Sequence, residues 1–527
     1  MASIEKLYSK ALNLWQSNDL NAAKDNFKKV IEKKPKNAEA LSFIGIINLQ
    51  QGFFEDGISY LNRAQLLDPN NENIKLNLSN GYVNLALSLI EKFEEHKALE
   101  NLLNATQVNP MNAVAWLNLL RICSKLKQYQ LAQDSFNKIK IKNHEILFQY
   151  GNIKFDQKEY LEAIDLFLGA MKQKEEFPEC LFHIALSYQC LGKYNESLNF
   201  FDKTLNLKPD YHLALFNKAQ LYLRMNNFEE GWKIYKARWK TKNFLNLGLE
   251  SKIPYFNKEI EANKKVLVWA EQGIGDQVLY SSMLEDFSKL KKHKVTVSID
   301  ERLISLYQRS FKDINFISQK RIISDKDFDY QLPMGDLGLF VRNKIDQFKN
   351  QKTFLIADQK KIKFLGNNLK KVNKKNIGLS WTSNNNDFLD KSVNLSDFKN
   401  VFYEFDYQYI NLEYVDNSNE IIEAQKKYQI SFNDTKNIDK FNDLDSLAAL
   451  ISACDIVITI SNVTAHFAGA LGIKTILLAP YGLGQIWYWS DDSYSKWYPN
   501  LKILKQKVPY DWSNVMEDLI TELRKIN

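Results

Sequence analysis

A short polar turn late in the chain carries side chains suited to binding an anionic ligand. Ser461, Asn462, Thr464 and His466 bring hydroxyl groups, an amide and an imidazole to one turn. The apolar, β-branched segment Asp455–Ile460 predicts a buried parallel strand before the turn, and the small residues after it predict a helix. In such folds, free N–H groups at the helix N-terminus bind phosphates at the carboxyl end of the strand. A structural role is the alternative, with Thr464 as a helix cap and His466 as a core histidine.

A second candidate loop, Glu271–Asp276 with the sequence EQGIGD, follows the apolar segment Val266–Ala270. Gly273 and Gly275 permit a tight turn and a close approach of the backbone to a ligand, because glycine has no Cβ. Gln272 belongs to the same loop, and we expect it to help shape the loop. This is therefore a second candidate site at the carboxyl end of a predicted strand.

Asp276 ends this loop at the start of a predicted helix, Gln277–Lys292, where a carboxylate is favourable as a cap. The loop is not a dinucleotide fingerprint, because the third glycine is missing and no acidic residue follows at a suitable spacing. A Rossmann oxidoreductase is therefore excluded, whereas capping and ligand binding both stay open for Asp276.

A polar loop, Trp381–Val393, directly follows the short apolar segment Ile377–Ser380, which predicts a further strand. Aromatic residues gather after Pro480, and this density suits stacking against bases or sugar rings or, alternatively, packing between two lobes. These aromatic residues are Tyr481, Trp487, Tyr488, Trp489, Tyr494, Trp497 and Tyr498.

Strands alternate with helices throughout the second half of the chain, which predicts two α/β lobes with parallel sheets. We expect the N-terminal lobe over residues 264–370 and the C-terminal lobe over residues 371–505. A closing amphipathic helix is expected within residues 506–527, and residues 241–263 connect the lobes to the preceding segment.

The first 240 residues repeat with a period close to 34. Pro35 and Pro69 are 34 residues apart, and small and aromatic residues recur where paired helices approach each other. This pattern resembles the tetratricopeptide repeat and predicts about seven helical pairs. The third unit is longer, because Pro110 lies 41 residues after Pro69, and we expect extra turns around Leu85–His96. Such arrays bind peptides or protein surfaces in a concave groove, or serve a structural or self-associating role.

Composition excludes several classes of protein. A hydrophobic fraction of 45% and a charged fraction of 25% are ordinary for a globular protein, and 527 residues require several domains. The net charge of +7 is spread along the chain without a dense basic block, so no nucleic-acid partner is expected. The four cysteines form no CxxC pair or metal-ligand spacing, so no metal is expected. The sequence shows no signal peptide and no apolar run of membrane-spanning length, which predicts a cytoplasmic protein.

Four motifs occur in a fixed order: EQGIGD at 271–276, GLSWTS at 378–383, SNVTAHFAGALG at 461–472, and LLAPYGLGQIWYW followed by SKWYP. Together they resemble bacterial tetratricopeptide-repeat proteins with a C-terminal glycosyltransferase domain, related to heptosyltransferases and distantly to O-linked N-acetylglucosamine transferases. The resemblance covers residues 264–506, with the repeats before them. It implies an all-α tetratricopeptide-repeat superhelix followed by an α/β two-lobed, Rossmann-like glycosyltransferase domain of the GT-B type.

The resemblance also implies an inverting, metal-independent transfer of a sugar from a nucleotide-diphosphate sugar, with no further cofactor. It implies that Asp276 is the general base that deprotonates the acceptor, and that Gln272, Gly273 and Gly275 shape its loop. On the donor side, it implies that Lys391 supplies a cation to the departing nucleotide diphosphate. The other implied donor-binding residues are Trp381, Ser383, Ser461, Asn462, Thr464, Ala465 and His466, and His466 is also a catalytic candidate.

The sequence departs from the family pattern at Ser461 and Asn462, where heptosyltransferases have an acidic residue followed by Thr or Ser. This difference argues against heptose as the sugar. We expect a protein or glycan acceptor, recruited by the repeat groove. The alternative is a non-catalytic repeat scaffold whose lobes bind a nucleotide sugar without transferring it, since the N-terminal lobe is short for its type.

Overall fold

The computed structural model describes residues 3–245, 247–257, 259–349, 351–369, 374–383, 391–433 and 435–526. The chain divides into two compact units, Met1–Ser187 and Tyr188–Asn527. The described part of the first unit is helical, whereas the second unit combines helices with two parallel sheets. The division falls within a helix, so the last helices predicted with the repeats over residues 1–240 belong to the second unit.

Fourteen α-helices follow one another in the described residues before the first strand, as seven consecutive pairs. They are α1 (Ile4–Gln16), α2 (Leu20–Lys33), α3 (Ala38–Gln50), α4 (Phe54–Leu67), α5 (Glu72–Glu91), α6 (Glu95–Val108), α7 (Ala113–Lys125), α8 (Tyr129–Lys138), α9 (His144–Asp156), α10 (Tyr160–Met171), α11 (Pro178–Cys190), α12 (Tyr194–Leu207), α13 (His212–Arg224) and α14 (Phe228–Tyr235).

The turn inside each pair is of one kind. Two residues before the second helix of every pair, one residue adopts a positive φ, which closes the turn after the first helix. Only two of these seven residues are glycines, so residue type alone does not reveal the turn. The residues are Asn18, Gly52, Phe93, Lys127, Lys158, Gly192 and Asn226.

The longer third unit is confirmed. Helix α5 has 20 residues, whereas α3 has 13, so the extra turns lie in α5 and end at Glu91. Small residues are required where paired helices meet: a Cβ on Gly45 would lie 2.6 Å from Leu61 Cγ and 2.9 Å from the Gly57 carbonyl oxygen. Ridges of one helix therefore pack into grooves of the other at close range.

The second unit contains ten strands in its described residues, all paired in parallel. The first sheet consists of β1 (Lys265–Trp269), β2 (Lys294–Ile299), β3 (Asn315–Ser318) and β4 (Tyr330–Pro333), in the order β3-β2-β1-β4. The second consists of β5 (Asn376–Ser380), β6 (Gln408–Asn411), β7 (Ser431–Asn433), β8 (Ile456–Ile460), β9 (Thr475–Ala479) and β10 (Leu501–Lys505), in the order β10-β9-β8-β5-β6-β7.

Helices connect these strands. They are α15 (Ile274–Ser281), α16 (Leu284–Lys289), α17 (Ile304–Ser310), α18 (Gly338–Val341), α19 (Gln359–Leu369), α20 (Lys399–Glu404), α21 (Ser418–Tyr428), α22 (Leu444–Ser452), α23 (Val463–Leu471) and the closing α24 (Ser513–Ile526). Every residue of β5, β8 and β9 is buried, as expected for parallel strands covered on both faces.

The single helix predicted over Gln277–Lys292 is wrong, because α15 and α16 are separate helices. Serine hydroxyls account for the break: Ser281 Oγ donates to the Gln277 carbonyl at 2.6 Å, and Ser282 Oγ donates to the Leu279 carbonyl at 2.7 Å. Such bonds to carbonyls of the preceding turn compete with the regular helix pattern. No helix in the described ranges is long and apolar enough to cross a membrane.

Candidate active site

The order of the strands reverses once in each sheet. In the first sheet the chain runs outward from β1 to β3 and returns to β4, on the other side of β1. In the second sheet it runs from β5 to β7 and returns to β8, on the other side of β5. Ligands of open parallel sheets bind beyond the carboxyl ends of the strands at such reversals. The loops after β1, β5 and β8, which hold the predicted site residues, begin at these two points.

Asp276 lies in the first turn of α15, where a carboxylate is favourable, but it is not the N-cap residue. Gly273 is the N-cap residue, and a Cβ built on it would lie 3.9 Å from Asp276 Oδ2, so the carboxylate lies beside the loop. Burial raises the pKa of Asp276 to about 6, while the positive charge of Lys391 opposes this rise. A carboxyl group that titrates near neutral pH is well matched to accepting a proton from a bound hydroxyl group.

The rest of the glycine-containing loop is held by side chains of α15. Gln272 accepts hydrogen bonds from Gln277 Nε2 at its carbonyl (3.0 Å) and from Tyr280 Oη at its side chain (3.4 Å). Gly275 packs directly on the ring of His466: a Cβ there would lie 3.0 Å from Cδ2 and 3.4 Å from Nε2. Gly275 is therefore required by the close approach of the second sheet's turn.

His466 lies on α23 and is enclosed by aromatic rings, with 2% of its surface exposed. Its Nδ1 lies 2.8 Å from Tyr498 Oη, and its ring centroid is 5.1 Å from those of Tyr488 and Trp489. Burial and the nearby charge of Lys391 lower the pKa of His466 to about 3. The imidazole is therefore neutral at physiological pH.

Lys391, in the segment after β5, is 5% exposed. Burial lowers the pKa of its ammonium group to about 8, and the negative charge of Asp276 opposes this change. Its charge also acts on His466. The charge of Lys391, which follows β5, therefore acts both on Asp276, which follows β1, and on His466, which follows β8.

Asn462, not Thr464, caps α23. Asn462 Oδ1 accepts from the Thr464 amide at 3.0 Å and from Thr459 Oγ1 at 3.0 Å. The Ala465 amide donates to the Asn462 carbonyl at 3.2 Å. Thr464 and Ala465 are both buried, and in this structure their amides have partners within the chain.

The other predicted donor-side residues differ in exposure. Trp381 is fully buried, and its Nε1 donates to Glu420 Oε2 at 2.9 Å, so its ring belongs to the core of the second sheet. The Ser383 amide donates to Ser392 Oγ at 3.0 Å. Residues 384–390 of the predicted polar loop lie outside the described residues.

The aromatic cluster after Pro480 is mostly packing. Its buried members are Trp487, Tyr488, Trp489, Trp497 and Tyr498, whereas Tyr494 is exposed. Trp489 Nε1 donates to Ser461 Oγ at 2.9 Å, so the cluster also holds the turn after β8. For the buried residues, the packing alternative is confirmed.

Sequence reasoning missed Glu413, which follows β6. Glu413 Oε1 accepts hydrogen bonds from Ser380 Oγ at 3.2 Å, from the Thr382 amide at 2.7 Å and from the Trp381 amide. Its Oε2 has no hydrogen-bond partner in the described part of the chain. Ser380 Oγ also accepts from Asn462 Nδ2 at 2.7 Å, which joins the cap of α23 to Glu413.

A cavity of about 610 Å³ opens beside Glu413, between the segments after β6 and β7. Its walls include Asn411, Ser418, Phe432 and Lys440, so amide, hydroxyl, aromatic and cationic groups all line it. Ligand pockets commonly have about this volume. No sequence motif marks this cavity, because its residues are spread over 31 positions from Asn411 to Phe441.

A second missed feature is a buried charged cluster at the reversal of the first sheet, formed by Arg238, Glu271 and Asp336. Glu271 stands at the start of the EQGIGD motif, which was the only signal in the sequence. Within the described ranges, no three His, Cys, Asp or Glu side chains gather closely enough to hold a metal ion.

A comparison with protein families identifies repeats in the helical region. A family model described as the tetratricopeptide repeat matches residues 8–72. The prediction of tetratricopeptide repeats in the N-terminal region is confirmed. A solved tetratricopeptide repeat protein from Parabacteroides merdae is 19% identical with a TM-score of 0.30, over 49% of this chain and 94% of that protein.

Two curated relatives extend the comparison. Protein FlbA from Caulobacter vibrioides is 24% identical over 468 residues, which is 84% of this chain and 72% of FlbA. The similarity covers 84% of this chain, whereas residues 1–240 are fewer than half of its 527 residues. The similarity therefore continues into the parallel sheets. Human Protein O-mannosyl-transferase TMTC3 is 25% identical over 227 residues, which is 41% of this chain and 24% of TMTC3.

Proposed function

We propose that this chain is an inverting, metal-independent glycosyltransferase whose parallel-sheet region is of the two-lobed GT-B type. In this proposal it transfers a sugar from a nucleotide-diphosphate sugar to a protein or glycan acceptor in the cytoplasm. The observation that carries the proposal is the approach of Asp276, Lys391 and His466, which come from loops at the strand reversals of both sheets. A carboxylate and an ammonium group that act on each other are the two charges that such a transfer needs.

The chemistry assigns opposite tasks to the two charges. Asp276 takes the proton of the acceptor hydroxyl or amide as the acceptor atom bonds to the anomeric carbon of the sugar. The bond from that carbon to the phosphate oxygen breaks, and the electron pair leaves on the nucleotide diphosphate. Lys391 stabilises this developing negative charge, together with the positive end of the α23 dipole. Attack opposite to the leaving group inverts the anomeric centre.

The donor side of the proposal uses the second sheet. The turn capped by Asn462 takes the diphosphate, and the cavity beside Glu413 takes the nucleoside. Hydrogen bonds from Asn462 to Ser380 and from Ser380 to Glu413 join these two places. Glu413 Oε2 is buried and has no hydrogen-bond partner in the described residues, and in this proposal a sugar hydroxyl group that enters the cavity donates to it. In this proposal His466 acts behind Gly275, by supporting the loop that carries Asp276.

The acceptor side of the proposal uses the repeats, because tetratricopeptide repeats bind proteins. The name of the partly similar TMTC3, Protein O-mannosyl-transferase, supports sugar transfer to a protein acceptor. In this proposal the same surface of the repeats can also bind a second copy of this chain. These assignments belong to the proposal as a whole.

The test is a panel of nucleotide-diphosphate sugars, with thermal stabilisation and donor hydrolysis measured on the wild type and on Asp276→Asn. We expect one donor to stabilise both proteins, and Asp276→Asn to lose turnover by about 10²–10⁴-fold, the usual contribution of a general base. Asp313→Asn, at an exposed position before β3, is the matched control and keeps full turnover.

Two other outcomes separate the alternatives. Binding of a nucleotide diphosphate without hydrolysis or transfer identifies a non-catalytic repeat scaffold. If no donor stabilises the protein, nucleotide-sugar binding is refuted together with catalysis, and the repeats are the functional part of the chain.

A further inference from the structure

A fully buried guanidinium group lies at the strand reversal of the first sheet. Arg238 belongs to the 3-10 turn Lys236–Lys240, which directly follows α14, and its side chain has no exposed surface. Arg238 Nη2 lies 3.1 Å from Glu271 Oε1 and 2.9 Å from Glu271 Oε2, and Nη1 lies 2.7 Å from Asp336 Oδ1. One side chain from the end of the helical segment (α13, α14 and the turn Lys236–Lys240) therefore joins the loop after β1 to the loop after β4.

The surroundings of Arg238 leave its guanidinium little freedom. Its charge lies 4.7 Å from the ring centroid of Tyr235 and 4.6 Å from that of Trp239. Glu271 Oε1 also accepts from the Gly335 amide at 2.9 Å, which fixes the carboxylate between two loops. A buried charge is costly unless it is paired in good geometry, and a planar guanidinium pairs with a carboxylate in one defined orientation.

A second contact joins the helical segment to α15 at a residue that follows Asp276 in the chain. Tyr235 Oη lies 3.0 Å from Tyr280 Oη, and Tyr280 is on α15, one helical turn after Asp276. Tyr280 Oη also donates to Gln272 Oε1 at 3.4 Å. The helical segment therefore holds the chain both before Asp276, at Glu271, and after it, at Tyr280.

These contacts matter for the chemistry because they lie before and after Asp276 in the chain. In the proposed transfer, the Asp276 carboxylate takes the proton of the acceptor. Small displacements of a reacting group reduce rates strongly, by about 10²-fold for a misplacement near 1 Å. Hydrophobic side chains of similar volume often replace a buried ion pair without loss of stability. A bidentate charged contact fixes orientation, and orientation is the property that bears on the proposed reaction.

We propose that Arg238 and Tyr235 are positioning residues for Asp276, so that the end of the helical segment is a part of the catalytic scaffold. This inference rests on the proposed function for the role of Asp276. The positioning itself is a statement about the loop Glu271–Asp276 and is measurable without any turnover.

The experiment compares Arg238→Lys and Tyr235→Phe with the wild type by hydrogen–deuterium exchange and by steady-state kinetics. Arg238→Lys keeps the positive charge but loses the bidentate geometry, and Tyr235→Phe removes one hydroxyl group. We expect faster exchange over residues 271–283 in both variants and unchanged exchange over residues 456–471. We expect kcat to fall by about tenfold to hundredfold in Arg238→Lys, and less in Tyr235→Phe, with the donor KM within about twofold.

The matched control is Arg342→Lys. Arg342 is also a buried arginine of the first sheet's region, but its side chain contacts Asp286 and Gln351 rather than the loop. We expect exchange over residues 271–283 and kcat to match the wild type in this variant. Equal loss in Arg342→Lys and Arg238→Lys would show a general loss of packing and overturn the inference.

The outcomes distinguish this inference from the proposed function. Unchanged exchange over residues 271–283 in Arg238→Lys overturns the positioning role, whatever the activity. If the wild type turns over no donor, the proposed function fails while the exchange data still decide the positioning. If Arg238→Lys does not fold, Tyr235→Phe decides the question, because it removes only the Tyr280 contact.

Discussion

At the strand reversal of the first sheet the loop after β1 is held by full charges, whereas at that of the second sheet the turn after β8 is held by neutral groups. Arg238, Glu271 and Asp336 hold the first loop without solvent access to the guanidinium. The second turn is held by the amide of Asn462 and by the hydroxyl group of Ser461. Two loops at the same place in two parallel sheets are therefore positioned by opposite means.

The difference matches the task that the proposal assigns to each loop: the first carries a carboxylate, and the second binds an anionic ligand. A carboxylate needs a frame that fixes its orientation, and bidentate charged contacts supply one. An anionic ligand is stabilised by positive charge, and the neutral contacts of the turn after β8 place no negative charge next to the positive end of the α23 dipole. Changes to each frame should therefore affect different kinetic quantities.

After Asp276→Asn, the largest effect is expected at Lys391, whose charge acts on Asp276. Lys391→Met removes the cation that the proposal assigns to the leaving group, and kcat should fall by about 10²–10³-fold. The pKa of Asp276 should also rise further, because the charge of Lys391 lowers it in the wild type. Turnover and its pH dependence measure both effects. Lys399→Met, on the exposed surface of α20, is the control, and equal losses in both variants would refute the role of Lys391.

The pH dependence of kcat/KM tests the same pair without substitution. Asp276 must be deprotonated to act as a base, so activity should rise with pH through its pKa of about 6. Lys391 must be protonated to stabilise the leaving group, so activity should fall as pH rises through its pKa of about 8. A bell-shaped profile is expected, with about tenfold loss per pH unit outside these limits. A flat profile between pH 5 and 9 would contradict both assignments.

A smaller effect is expected from Glu413→Gln, in the segment after β6. The glutamine carbonyl oxygen replaces Oε1, which accepts three hydrogen bonds, so the local fold should be kept. The NH₂ group then replaces Oε2 and cannot accept a hydrogen bond from a donor hydroxyl group. We expect donor binding to weaken by about tenfold with kcat nearly unchanged, as measured by calorimetry and kinetics.

The control for this variant is Glu423→Gln, at an exposed position on α21. It should leave donor affinity unchanged. A loss of kcat rather than affinity in Glu413→Gln would place Glu413 in the transition state instead of the binding site.

The helical pairs could be predicted from the sequence because their signals are local. Small and aromatic residues recur within each pair, and Pro35 and Pro69 mark a period of 34 residues. The parallel sheets followed from short apolar segments bounded by glycine and polar residues, such as the one before EQGIGD. These signals need no information from distant parts of the chain.

The contacts around the site could not be predicted, because they depend on residues far apart in sequence. Arg238 and Glu271 are 33 positions apart, and in the sequence a buried ion pair looks like two surface charges. Trp381 was expected at the donor site from its motif, yet its ring lies in the core of the second sheet. A motif shows which loop lies at the carboxyl end of a strand. The packing around that loop decides which of its side chains are buried in the core and which can contact a ligand.

The smallest effect is expected behind the neutral frame, at Tyr498. Tyr498→Phe leaves the buried Nδ1 of His466 without its 2.8 Å partner, and an unsatisfied buried group destabilises a fold by about 1–3 kcal/mol. We expect a lower denaturant midpoint, followed by tryptophan fluorescence, with kcat reduced less than in Lys391→Met. Tyr494→Phe is the control, because Tyr494 is exposed and its loss should leave the midpoint unchanged. If Tyr498→Phe instead reduces kcat as strongly as Lys391→Met, the His466 tautomer takes part in the chemistry. The neutral contacts behind the turn after β8 would then be as sensitive to substitution as the charged contacts of the loop after β1.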